Sequence, residues 1–211
     1  MSEGVSLLRR IFHSIKGPNP VHPLVWEGRL SPIVFRRFEE ADSNQCIELY
    51  TLNEKGRFPE GVLDQYRKHL AERHSYYLVG EKEGRVVAFG GVSYYMRENI
   101  AMLSYGLVKP EHQSQGIGTS LLLARLSLLR PRPWNYQVFI FAVEKSFAFY
   151  RRFGFSPFTP WQAPDGTKHP SGHLLLTAGE IRRCRELLHA HNISVPHDEN
   201  QIPLRMSPSE A

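Results

Sequence analysis

Residues Val108 to Leu123 read VKPEHQSQGIGTSLLL, and the apolar run Ile100 to Leu107 precedes them. A strand-like segment reaches Pro110, a polar turn follows in which Gly116 and Gly118 flank Ile117, and a helix-like series (Leu121, Leu122, Leu123, Ala124, Leu126) leads away. The first amides of a helix have no intrahelical partner and sit at the positive end of its dipole, so such a turn can hold a phosphate largely through backbone N–H groups. Glycines let that backbone come close without a Cβ in the way. Gln113 offers a side-chain donor at the mouth of the turn, Ser114 and Gln115 lie within it, and Thr119 and Ser120 add hydroxyls just inside the helix. The set suits a pyrophosphate.

Two common phosphate motifs do not fit. A Walker loop needs Gly-Lys-Ser or Gly-Lys-Thr, and Gly118 is followed by Thr119. A Rossmann fingerprint needs a third glycine or alanine where Leu121 stands, and an acidic residue about 20 positions further on. Nucleotide hydrolysis and dinucleotide redox chemistry lose support.

What fits is Val-x-Pro-x-x-Gln-x-x-Gly-Ile-Gly, at Val108, Pro110, Gln113, Gly116, Ile117 and Gly118. This resembles the acyl-CoA-binding motif of the GNAT superfamily of N-acetyltransferases. A second segment, Phe149-Tyr150-Arg151-Arg152-Phe153-Gly154-Phe155, resembles the family pattern at the end of the helix after the fifth strand. The resemblance spans about Ile33 to Thr177.

Composition bounds the rest. A chain of 211 residues suits one folded domain with terminal extensions. A net charge of +5 favours an anionic ligand such as coenzyme A, while no basic block with interleaved aromatics points to dedicated nucleic-acid binding. Cys46 and Cys184 are too few and too far apart for a disulfide framework or zinc ribbon, and read as reduced thiols of a cytoplasmic protein. Glu3, Arg9 and Arg10 break up the first apolar residues, so neither a secretory leader nor a membrane span is expected. His189 and His191 lack a completing ligand set, and no metal is expected.

In chain order, Val5, Leu8, Phe12 and Ile15 fall at helical spacing, an amphipathic helix to dock on the domain or on a second subunit, as in a homodimer. Gly17-Pro18-Asn19-Pro20 stops it. A strand over Ile33 to Phe38, a helix from about Cys46 to Gly56 and a second from Glu60 to Arg73 follow. Strands Tyr76 to Glu81 and Arg85 to Met96 join through a tight Glu83-Gly84 turn, and with the strand before the glycine turn they read as an antiparallel meander. After the glycine-turn helix come the apolar run Tyr136 to Val143, a helix Glu144 to Phe153, and strands around Phe155 to Trp161 and His173 to Thr177. Thr177 and Glu180 form a capping-box signature for a basic helix to about His191.

The expected fold is therefore α/β (α+β) of GNAT type, a mixed and mostly antiparallel central sheet of six to seven strands flanked by helices. Residues 1–30 form the helix and Pro-rich linker, 31–178 the acetyltransferase domain, 179–195 a final helix, and 196–211 a loose tail.

The resemblance implies acetyl-CoA as co-substrate and no metal. It implies that Leu107, Val108, Gln113, Ser114, Gln115, Gly116, Ile117, Gly118, Thr119 and Ser120 hold the cofactor, with a bulge near Gly106 freeing backbone groups of Leu107 and Val108. It makes Tyr150 the general acid that protonates the leaving thiolate. Two positions depart from the pattern. Val143 stands where many relatives carry an asparagine, so a hydrogen bond to the pantetheine is lost or supplied by Ser146, and Met102 to Val108 contains no carboxylate to act as a base. The base stays unassigned. Arg57, Phe58, Tyr94, Tyr95 and Trp161 are candidates for the acceptor pocket, and equally for packing or its rim. The activity expected is acetyl transfer to a primary amine of a small molecule by direct attack in a ternary complex. The alternatives are a non-catalytic acyl-CoA-binding module and a protein or peptide acetyltransferase.

Overall fold

A computed structural model of the chain describes residues 24–26, 28–54, 62–73, 75–95, 99–162, 166, 168–197 and 204–205. The expected helix over residues 2–16 and the connector residues Arg57 and Phe58 lie outside the described residues, as does the side chain of Trp161.

β1 (Val34–Arg37) leads through a short 3-10 turn (Glu40–Asp42) into α1 (Ser43–Glu54) and α2 (Val62–Ala71). β2 (Tyr76–Lys82), β3 (Arg85–Tyr95) and β4 (Ile100–Val108) form the expected antiparallel meander. Glu83 (φ 54°) and Gly84 (φ 71°) make its first turn with both central residues left-handed, the geometry that matches strand twist. α3 (Ile117–Ser127), β5 (Tyr136–Phe141), α4 (Glu144–Arg151), β6 (Ser156–Gln162), β7 (Lys168–Leu176) and α5 (Ala178–Ala190) complete the core. The sheet order is β1-β2-β3-β4-β5-β7-β6, antiparallel throughout except for the parallel pair β4/β5.

Within the tail expected to be loose, β8 (Leu204–Arg205) pairs in parallel with Tyr94 and Tyr95. β2 reaches β3 only as far as Val92, so the end of β3 presents unpaired backbone groups that β8 takes up.

Alternation along the strands builds two cores. Tyr77 and Val79 of β2 join Phe89 and Leu107 beneath Cys46, Leu49, Tyr50, Tyr66 and Leu70 of α1 and α2. Tyr76 and Leu78 face the other way, to a larger core filled by Leu121, Leu122, Ala124 and Leu126 of α3, Tyr150 of α4, and Ile181, Cys184 and Leu188 of α5. Cys46 and Cys184 are buried free thiols, and desolvation pushes both up to about 12, which leaves them unreactive. α5 starts with the expected capping box, Thr177 Oγ1 accepting from Glu180 N and Glu180 Oε2 from Thr177 N.

The joint between β1 and α1 is held by charge. Arg36 grips Asp42 through two bonds of 2.7 Å and donates a third, 2.8 Å long, to Glu81 on β2. The Glu39 amide also donates to Asp42 Oδ2. Arg36, followed by that amide, holds the Asp42 carboxyl below its ordinary value against the opposing cost of burial. A depressed folded-state pKa gives stability that is fully present above the unfolded value, about 3.9, and is lost as pH falls through the folded value. Asp42→Asn should therefore cost about 2 kcal/mol at neutral pH and flatten the acid limb of stability below pH about 4, measured by urea denaturation across pH. An unchanged acid limb would remove Asp42 from this role.

Candidate active site

The glycine turn is built as an amide cradle. β4 ends in a 3-10 turn (Pro110–His112), the chain turns through Ser114 (φ 60°) and Gly116 (φ 94°), and α3 begins at Ile117. The first helical bond to close is Ser120 N to Gly116 O. The amides of Ser114, Gln115, Gly116, Ile117, Gly118 and Thr119 meet no protein acceptor among the described residues. Six consecutive donors at the positive end of a helix fit an anion with several oxygens, such as a diphosphate. Gly116 is needed twice over, since its φ is left-handed and a Cβ there would stand 2.7 Å from Arg29 O.

The second feature is a parting of strands. β4 pairs with β5 from Ile100–Gln137 to Leu103–Ile140, and beyond that β4 continues without β5. At the same point its pairing with β3 slips. Phe89 faces Leu107 and Gly91 faces Ser104, so Tyr105 and Gly106 together oppose Gly90, and Tyr105 takes φ 51°. This is the bulge expected near Gly106. Lys109 N donates to Val87 O across β3, so the Val108 N–H projects toward the gap left by β5.

The bulge brings Tyr150 to the gap. α4 follows β5, and the Tyr150 ring packs edge-on against Phe149 and Phe155. Its hydroxyl would lie 2.7 Å from a Cβ on Gly106, so only glycine admits it there. On the other face of the sheet the Tyr105 ring packs against Tyr66, and its hydroxyl lies 2.6 Å from His69 Nδ1 on α2. Burial pushes the Tyr105 phenol far above its ordinary value, so it stays neutral.

A thioester held in the gap by its diphosphate would thus have one hydroxyl on each side. The sequence model of the acetyltransferase (GNAT) family matches residues 43–155, more than half of the chain. The chain belongs to the GNAT acetyltransferase family. Membership makes it an acyltransferase. Solved structures agree on the fold. A GNAT-family protein of Desulfovibrio desulfuricans superposes with a TM-score of 0.53 at 18% identity, covering 69% of this chain and 99% of its own. An aminoglycoside 6'-N-acetyltransferase complexed with coenzyme A gives 0.53 at 12%, with 68% and 96% covered. Ard1 from Thermoplasma volcanium gives 0.52 at 17%, with 69% and 99%. No curated protein matches the sequence significantly.

Within this GNAT domain several expected ligands are turned elsewhere. The Gln113 amide donates to Asn53 Oδ1 and Val108 O, bracing the end of β4 against α1, so it offers no phosphate donor at the mouth of the turn. Asn53 Nδ2 also donates to Val108 O, which leaves Val108 its N–H but not its carbonyl. Ser120 is fully buried and exchanges hydrogen bonds with the backbone of Ser31, while its own amide closes the helix. Thr119 is 4% exposed beneath Gly28, and its amide is what it can contribute. Both are covered because the stretch from Gly28 to Ser31 runs across the first turn of α3. Ser146 Oγ donates to Val143 O inside its own helix start. The Ile117 side chain is core, and Ser114, Gln115, Gly116 and Gly118 line the cradle by backbone. Leu107 is buried and paired with Phe89.

Tyr94 and Tyr95 are buried in the core, Tyr94 against Tyr136 and Tyr95 beside Phe139, the packing alternative offered for them. The sequence reading missed Tyr105 and His69. The signal for Tyr105 was its place beside Gly106, but His69 lies 36 residues away and only the packing of α2 joins them. Among the described residues no group of His, Cys, Asp or Glu could hold a metal, and no helix is long and apolar enough to cross a membrane.

Gly106 has no left-handed φ, so alanine there meets an obstacle only in the Tyr150 hydroxyl and what lies beside it. Gly106→Ala should keep the fold and lower acetyl-transfer turnover at least tenfold, a loss of about 1.4 kcal/mol in the transition state. Wild-type turnover in that variant would place Tyr150 outside the chemistry.

Proposed function

We propose that the chain transfers the acetyl group of acetyl-CoA to a primary amine on a small molecule, by direct attack in a ternary complex. The observation that carries this reading is the line from the open amides of residues 114–119 to the gap between β4 and β5, where Tyr150 waits. Those amides hold the diphosphate, and the pantetheine arm follows the backbone of Gly106 to Val108 into the gap. The Val108 N–H donates to the thioester oxygen as charge grows on it. The amine attacks the carbonyl carbon, the C–S bond breaks, and Tyr150 gives its proton to the departing sulfur.

The attacking amine must shed a proton, and β4 carries no carboxylate for it. The Tyr105 hydroxyl takes that role as a relay. It passes its own proton to His69 Nδ1 while accepting one from the nitrogen, so no phenolate need form. The long final hairpin, β6 and β7 at the edge of the sheet, supports a small acceptor over an open groove for protein chains.

Release of free thiol from acetyl-CoA over a panel of amines and peptides tests the reading. Wild-type turnover is expected with small amines, and Tyr150→Phe should lose about 10²-fold in kcat at unchanged affinity for coenzyme A. Tyr105→Phe should lose at least about tenfold. Tight binding of coenzyme A with no turnover on any acceptor would favour the non-catalytic module, and turnover confined to peptides would favour a protein acetyltransferase.

A further inference from the structure

Arg125 interrupts the apolar face of α3, between Ala124 and Leu126, and is 2% exposed. No carboxylate pairs with it among the described residues. Its hydrogen bonds are two long ones, Nε to Leu121 O and Nη1 to Ser104 O, both at 3.4 Å. A guanidinium has five N–H donors, so three are left over. Burying a cation on such terms is costly unless an anion visits it.

Two glycines make room for it. A Cβ on Gly90 would stand 3.1 to 3.3 Å from Arg125 Cδ, Nε and Cζ, so the side chain lies flat along β3. A Cβ on Gly106 would stand 3.1 Å from Nη2 and 2.7 Å from Tyr150 Oη. Neither glycine has a left-handed φ, so both are explained by space and not by backbone conformation. The guanidinium therefore ends beside the Tyr150 hydroxyl, beneath the exposed bulge.

We propose that Arg125 is a catalytic residue, the counter-cation for the negative charge that appears at the cofactor sulfur. This rests on the reading of the site as an acetyl-CoA-dependent transferase. The C–S electron pair goes to sulfur, and the proton of Tyr150 follows it, leaving a phenolate that water reprotonates. One negative charge thus sits on sulfur or on Tyr150 Oη, and Arg125 faces both. The other titratable groups near the bulge, Tyr105, Tyr77 and His69, lie on the opposite face of the sheet or beyond it.

The test uses the thiolate ultraviolet absorbance of bound coenzyme A across pH, with thermal melting, calorimetry and kinetics of wild type, Arg125→Met and Arg125→Lys. The bound thiol in wild type should ionise about one pH unit or more below the free thiol. Arg125→Met should return it to the free value, lower kcat about 10²-fold, leave coenzyme A affinity nearly unchanged, and melt no lower than wild type without ligand. Arg125→Lys should restore part of both the thiol shift and kcat.

A bound thiol in wild type that ionises like the free one overturns the assignment whatever the variants do. So does wild-type kcat in Arg125→Met, or a melting temperature well below wild type, which would make Arg125 a strut for the bulge. If wild type binds no coenzyme A at all, the transferase reading itself fails, and calorimetry separates that case from the others.

Discussion

The site depends on β4 losing its partner. Up to Leu103 the strand is hydrogen-bonded on both sides, and after it β5 no longer follows while β3 slips by one residue. An unpaired backbone in the middle of a sheet is expensive to leave unsatisfied, so the arrangement persists only if something holds both walls and something else fills the gap. Asn53 and Gln113 hold one wall by saturating the Val108 carbonyl from α1 and from the turn. The Arg36–Asp42 pair fixes where α1 begins, and so where Asn53 arrives. A pantetheine arm is the chemically suitable filler, since its amides can act as the missing strand.

The bulge also sets two tyrosine hydroxyls on opposite faces of the sheet. Tyr105 takes a left-handed backbone conformation that a bulky residue seldom adopts, and the reward is a hydroxyl aimed at His69 on the side of α1 and α2. Gly106, the next residue, opens the other side to Tyr150. In the proposed reaction, proton removal from the amine and proton delivery to the sulfur fall on opposite sides of one strand. Neither group has to serve both steps.

Much of this architecture was legible because it is local. The glycine turn, the Glu83-Gly84 hairpin, the Thr177–Glu180 cap and the doubly buried Tyr136–Phe141 run each carry their own signal within a few residues. The bulge at Gly106 and the place of Tyr150 could be anticipated through the family pattern. Side-chain direction could not. Gln113 and Ser120 look like phosphate ligands in a linear sequence, yet the arrival of Asn53 from 60 residues away and Ser31 from 89 away turns them inward. The same limit hid His69 from Tyr105, and it left pocket and packing undivided for Tyr94 and Tyr95, which β5 and its neighbours bury.

At the centre stands the claim that backbone amides from Ser114 to Thr119 grip the diphosphate of coenzyme A. Titration calorimetry of the folded chain with coenzyme A and, separately, with pantetheine, which lacks the diphosphate, tests it most directly. Saturable binding of coenzyme A, with pantetheine weaker by 10²-fold or more, about 2.7 kcal/mol, is the predicted result. Equal affinity for the two, or no heat with either, would contradict it.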